Sequence, residues 1–139
     1  MFKHILLGVD GSTHALKAAQ YAGELARTMQ SDLCIVVAYD PIPPYLGEPN
    51  LENTIAARIQ HARDILESAI RAVGQIPGKM SDELLVGAAA EVLLQVAHTY
   101  GSDLIVIGSR GHGMLAGLLL GSHSQKVIQH APCPVLVVR

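Results

Sequence analysis

The residues with the clearest chemical potential are the glycines and hydroxyls between Gly108 and Ser124. Gly108, Gly111, Gly113, Gly117 and Gly121 share this stretch with Ser109, Ser122 and Ser124, and no aspartate or glutamate occurs from Leu104 to Arg139. The apolar run Leu104-Ile105-Val106-Ile107 precedes it, and a helix-like segment follows, ending before Pro132. A glycine-rich loop between a buried strand and a helix N-terminus exposes backbone N–H groups, and the helix dipole adds partial positive charge. That combination holds phosphate. A nucleotide is therefore the first ligand to consider.

The familiar phosphate motifs narrow the choice. A Walker A loop is absent: Gly78-Lys79 is the one Gly-Lys pair, and it lacks both the hydroxyl and the upstream glycine. Gly111, Gly113 and Gly117 miss the dinucleotide pattern G-x-G-x-x-G by one residue, and no acidic residue follows to hold a ribose. The Ser-Gly-Gly loop of adenylating enzymes is missing after the first apolar run. The Walker A and dinucleotide failures remove the support for two large enzyme classes. The histidines His4, His14, His61, His98 and His130 show no metal-ligand spacing and read as surface or edge residues.

The elements that must position this loop follow from hydrophobic periodicity. Lys3 to Val9 is a short apolar strand ending in Asp10-Gly11-Ser12, a turn and N-cap signature. Ala15, Ala18, Ala19, Ala22, Leu25, Ala26 and Met29 then recur at helical spacing, with small side chains that permit close approach to a sheet. Leu33 to Tyr39 reads as a second buried strand, and Asp40 to Asn50, rich in proline, as a loop that serves as connector or lid. Ile55, Ile59, Ala62, Leu66, Ala69 and Val73 mark a second helix, Asp82 to Val86 a third strand, and Glu91 to Tyr100 a third helix. Asp103 to Gly108 is the fourth strand. Val127, Ile128 and Ala131 mark the last helix before a fifth strand, Pro134 to Val138.

Strict alternation of strands and helices predicts an α/β fold, an open, doubly wound, five-stranded parallel sheet with helices on both faces, in one domain over residues 1–139. Such sheets bind ligands at the carboxyl ends of strands, where the strand order reverses. In a five-stranded version one crevice lies between the first and fourth strands. Asp10-Gly11-Ser12 would face Gly108-Ser109-Arg110-Gly111 there, a carboxylate and hydroxyl opposite glycines and a guanidinium. The fifth strand, late and strongly apolar, is expected at a sheet edge, where a second copy can pair with it.

Composition removes other classes. Half of the 139 residues are hydrophobic, 16% are charged and the formal net charge is −2, so neither nucleic acid nor an anionic membrane is an expected partner. No apolar run approaches the length of a membrane span, and Ile5 to Val9 is too short for a signal peptide core, which makes the cytoplasm the expected location. Cys34 and Cys133 lie far apart and read as buried, reduced thiols.

Gly108-x2-Gly111-x9-Gly121-Ser122 resembles the ATP-binding signature of the universal stress protein family, complete in spacing. Ala131-Pro132-Cys133-Pro134 to Val138 is similar to that family's closing strand, and Ile5 to Ser12 to its opening strand. The resemblance covers the whole chain and points to the single-domain, ATP-binding branch. It implies a Rossmann-like sheet of the adenine nucleotide alpha hydrolase type, and ATP with Mg²⁺ or Mn²⁺ as ligands. Asp10 would then sit at the adenosine and be the one protein group offered to the metal. Ala38 would touch adenine, and Val9 and Gly11 would line the base pocket through backbone atoms. Gly108 would lie against the ribose, and Gly111, Gly121, Ser122, His123 and Ser124 would surround the phosphates. Arg110 either pairs with phosphate or stays solvated.

The departure is His123, where relatives commonly carry a small apolar residue. Its backbone N–H can still serve; its imidazole either touches phosphate or turns to solvent, and solvent is the favoured expectation, as for His112. With a phosphate site and no dedicated general base beyond Asp10, the expected function is a nucleotide-binding regulatory module of a stress response. The module would be read by a signalling partner and would dimerise through Val135 to Val138. The alternatives are a slow metal-dependent ATP hydrolase and a dimerising interaction protein without catalysis.

Overall fold

In the computed structural model, which describes residues 1–43, 45, 47, 50–109 and 120–139, the elements follow the expected alternation. They run β1 (His4–Val9), α1 (Thr13–Met29), β2 (Asp32–Tyr39), α2 (Asn50–Val73), β3 (Met80–Val86), α3 (Ala89–Tyr100), β4 (Leu104–Gly108), α4 (Ser122–His130) and β5 (Val135–Val138). The five strands form one parallel sheet in the order β3-β2-β1-β4-β5. The order reverses between β1 and β4, and β5 lies at an edge.

Two-residue alternation along the central strands divides the core. Ile5, Leu7, Val9, Leu33, Ile35, Val37, Leu104 and Val106 pack under α1 and α2 on one face. Leu6, Cys34, Val36, Ile105 and Ile107 pack under α3 and α4 on the other. Residues on both faces are apolar because helices cover both, which explains the continuous hydrophobic runs. The alanine face of α1 is buried as its spacing requires. Gly23 brings α1 against α2 so closely that a Cβ there would stand 2.3 Å from the Val73 carbonyl oxygen.

Several expectations need correction. β3 begins at Met80, two residues before the expected Asp82, because Met80 pairs with Leu33, and the Asp32 carboxylate accepts the Lys79 N–H at 2.8 Å. As an edge strand it is not buried: Asp82 and Glu83 are exposed. The stripe of α2 is buried only over Ala62, Leu66, Ala69 and Val73, while Ile55 is exposed. Both cysteines are free thiols, but Cys133 is only half-buried. Burial pushes the Cys34 and Cys133 thiols up in pKa, against the thiolate form.

Candidate functional site

At the carboxyl ends of β1 and β4 the sheet opens into a cavity of about 340 Å³, within the range of small-molecule sites. Strands splay apart where their crossovers leave in opposite directions, so the reversal itself creates this space. One wall is apolar or backbone: Gly8, Val9, Val36, Ala38, Leu93 and Ile107. The other is the first turn of α4, Ser122, His123 and Ser124, behind Gly121. Asp10 and Gly108 stand at the strand ends between them.

The helix termini around this cavity are unequal. α1 is closed by its N-cap, since the Ser12 hydroxyl accepts the Ala15 N–H at 3.1 Å. Asp10 supports that cap by accepting the Ser12 N–H at 2.9 Å. By contrast α3 follows Ala88 and α4 follows Gly121, and neither has a side-chain cap among the described residues. Both enter the cavity lining, α3 through Ala89 and α4 through Ser122 to Ser124. The first N–H groups of a helix have no partner within the helix, and with the dipole they favour an anion. The acidic side chain in the first turn of α3, Glu91, is held by Lys126 at 2.8 Å, and that ammonium keeps its carboxyl below the usual range.

Ser109 anchors the loop's start. Its N–H donates to Val138 at 2.7 Å, its carbonyl accepts the Gly121 N–H at 2.9 Å, and its hydroxyl lies 2.7 Å from His14 Nδ1. The Ser124 hydroxyl donates to the Gly108 carbonyl at 2.9 Å. These bonds fix the end of β4, the start of α4 and the start of α1 as one unit.

The structure therefore brings together Val9, Asp10, Ala38, Gly108, Gly121, Ser122, His123 and Ser124. Gly11 does not join them: it lines a separate cavity of about 250 Å³ between α1 and α2, with Leu16, His61, Asp64 and Ser68. Arg110 and Gly111, with His112, Gly113 and Gly117, lie outside the described residues, as do Pro44, Leu46, Glu48 and Pro49 of the proline-rich loop.

His123, expected to turn to solvent, is half-buried. It is among the residues that line the cavity, and its Nδ1 is buried without a hydrogen-bond partner among the described residues. Burial holds the imidazole below the ordinary histidine value, and the Asp10 carboxylate offsets this only in part. His14 is the residue that sequence reasoning missed; read as a surface histidine, it reaches Ser109 instead. Nothing in its spacing announces a partner 95 residues away.

A pH effect on stability follows. A histidine whose folded pKa is depressed contributes stability that is present above its unfolded value of 6.5 and lost as pH falls through it to the folded value. The Tm of the native chain should drop more between about pH 7.5 and 5.5 than that of His123→Val, measured by scanning calorimetry in low salt.

A parallel five-stranded sheet with a polar-ended crevice at its switch point is a Rossmann-like α/β fold. Comparison with known proteins gives the family. The sequence model of the universal stress protein family matches residues 1–139. A universal stress protein of Thermus aquaticus, encoded in the 3′ region of a QAH/OAS sulfhydrylase gene, is 46% identical over 139 residues, covering 100% of both chains. The universal stress protein UspA from Lactobacillus plantarum superposes with a TM-score of 0.86 at 28% identity, covering 99% of this chain and 97% of its own. A universal stress protein solved in complex with cAMP superposes with a TM-score of 0.69, also at 28% identity, over 99% of this chain and 97% of that one. The chain belongs to the universal stress protein family.

Proposed function

We propose that this chain is an ATP-binding regulatory module of a stress response, holding adenine nucleotide in the β1/β4 crevice. The observation that carries the reading is the pairing of opposite walls in one cavity: an apolar slot at Val9, Val36 and Ala38, and the uncapped N-terminus of α4. An adenine ring suits the first and phosphates suit the second. The relative solved with cAMP supports the ligand class, since cAMP carries both a base and a phosphate.

Mg²⁺ or Mn²⁺ would enter with the nucleotide. Asp10 is the carboxylate at the cavity, and its Oδ1 already accepts the Ser12 N–H, so Oδ2 is the oxygen to meet a cation. One carboxylate beside phosphates and water suits magnesium, which keeps most of its hydration shell. Calorimetry with ATP and MgCl2 should give a dissociation constant on the order of micromolar. No heat with either ATP or AMP would refute the proposal.

The same reading has the module working as a homodimer. β5 is an edge strand of Val135, Leu136, Val137 and Val138, and its first three residues are only half-buried within one chain. Apolar edges invite strand pairing with a second copy. Light scattering should give twice the 14.8 kDa chain mass, and the monomer mass alone would contradict this.

A further inference from the structure

We propose that His123 is a specificity-determining residue of this site, donating its Nδ1–H to the phosphate next to the ribose and so selecting phosphorylated nucleotides over the nucleoside. The inference rests on the nucleotide reading above. It concerns a side chain that the glycine signature leaves out.

His123 is the second residue of α4, placed between Ser122 and Ser124 in the turn whose backbone N–H groups are uncapped. An anion captured by those N–H groups lies beside this side chain. Nδ1 is bonded directly to Cγ, so it is the ring nitrogen on the backbone side, within reach of an anion at the same turn. In the ligand-free protein Nδ1 is buried and has no partner among the described residues. A buried polar nitrogen without a partner carries a desolvation cost that a ligand can relieve. Phosphate oxygens only accept, so the ring must supply the proton, and a neutral imidazole does so in its Nδ1–H tautomer. The groups facing the ring are consistent with a donor. Asp10 is the charged group acting on it, Ser122 and Ser124 flank it, and Glu91 on the adjoining α3 is paired with Lys126.

A valine at this position would keep the backbone N–H and lose the ring donor. Asparagine carries an amide N–H where histidine has Nδ1, so it restores the donor without the ring. The test compares the native chain, His123→Val and His123→Asn by calorimetry or NMR titration with AMP and with adenosine. The quantity read is the ratio of AMP to adenosine affinity. Each variant's fold is checked by circular dichroism and Tm.

The ratio should fall about tenfold in His123→Val, as expected for one hydrogen bond to a charged group, and recover most of that in His123→Asn. In the native complex the imidazole nitrogen shifts should report the Nδ1–H tautomer on AMP binding. An unchanged ratio in His123→Val, or a fall that asparagine does not reverse, would overturn the assignment while leaving nucleotide binding intact. Failure of the native chain to bind AMP and ATP would instead remove the reading on which the assignment stands.

Discussion

A protein carrying Gly121→Val together with Ser122→Ala should remain folded and lose ATP affinity by on the order of a hundredfold or more. Gly121 sits at φ −73° and ψ 158°, an extended conformation open to any residue, so the backbone does not require glycine there. Gly121 lines the cavity without a side chain, directly before the first turn of α4. A valine isopropyl group would fill that space. Its N–H could still donate to the Ser109 carbonyl, and its carbonyl could still accept from Gln125, so the start of α4 stays in place. Removing the Ser122 hydroxyl deletes a further donor; Ser122 is exposed, and its loss leaves no buried group unpaired. Titration calorimetry reads the affinity, and thermal melting checks the fold. An affinity within about threefold of native would place the phosphates elsewhere.

Gly108→Val should act through the fold instead, lowering Tm by about 5–10 °C. A Cβ at Gly108 would lie 2.8 Å from the His14 carbonyl carbon and 2.9 Å from the Ala15 nitrogen. Those are backbone atoms in the first turn of α1, so no side-chain rotation relieves the contact. Either α1 moves off the sheet or the end of β4 shifts. β4 is held there by its register with Val138 and by the Ser124 hydroxyl on the Gly108 carbonyl. Overpacking of this kind costs about 1–3 kcal/mol, and β-branching puts valine at the upper end. Displacing α1 would also disturb the Asp10–Ser12 turn, so nucleotide affinity should fall in the same variant. A Tm within about 1 °C of native would show that α1 yields more easily than its contacts suggest.

The second expectation shows where sequence reading falls short. In the sequence Gly108 looks like a glycine reserved for the ligand. In the structure it lines the cavity, yet the atoms that exclude a side chain belong to α1. A pattern of glycines records that space is tight without saying what fills it. The alternation of strands and helices was legible because both sheet faces are covered, and that alternation placed the crevice at the β1/β4 junction. Edge strand β3 was harder: its apolar signal is diluted by Asp82 and Glu83, so its start was misplaced. The apolar wall of the cavity was not legible either. Val36, Leu93 and Ile107 come from three elements, and each reads as ordinary core until the sheet brings them together. His14 and His123 were misread for a related reason. Spacing along the chain carries no information about Ser109 beside one or the enclosed turn around the other.

Nitrogen-15 amide shifts during an ATP titration report location and binding together. Nucleotide held in the β1/β4 crevice should give saturable shifts concentrated at Val9, Asp10, Ala38, Gly108 and Gly121 to Ser124, the backbone around that cavity. Shifts gathered at Gly11, Leu16, His61 and Ser68, around the cavity between α1 and α2, would contradict it. So would an unchanged spectrum with ATP in the millimolar range.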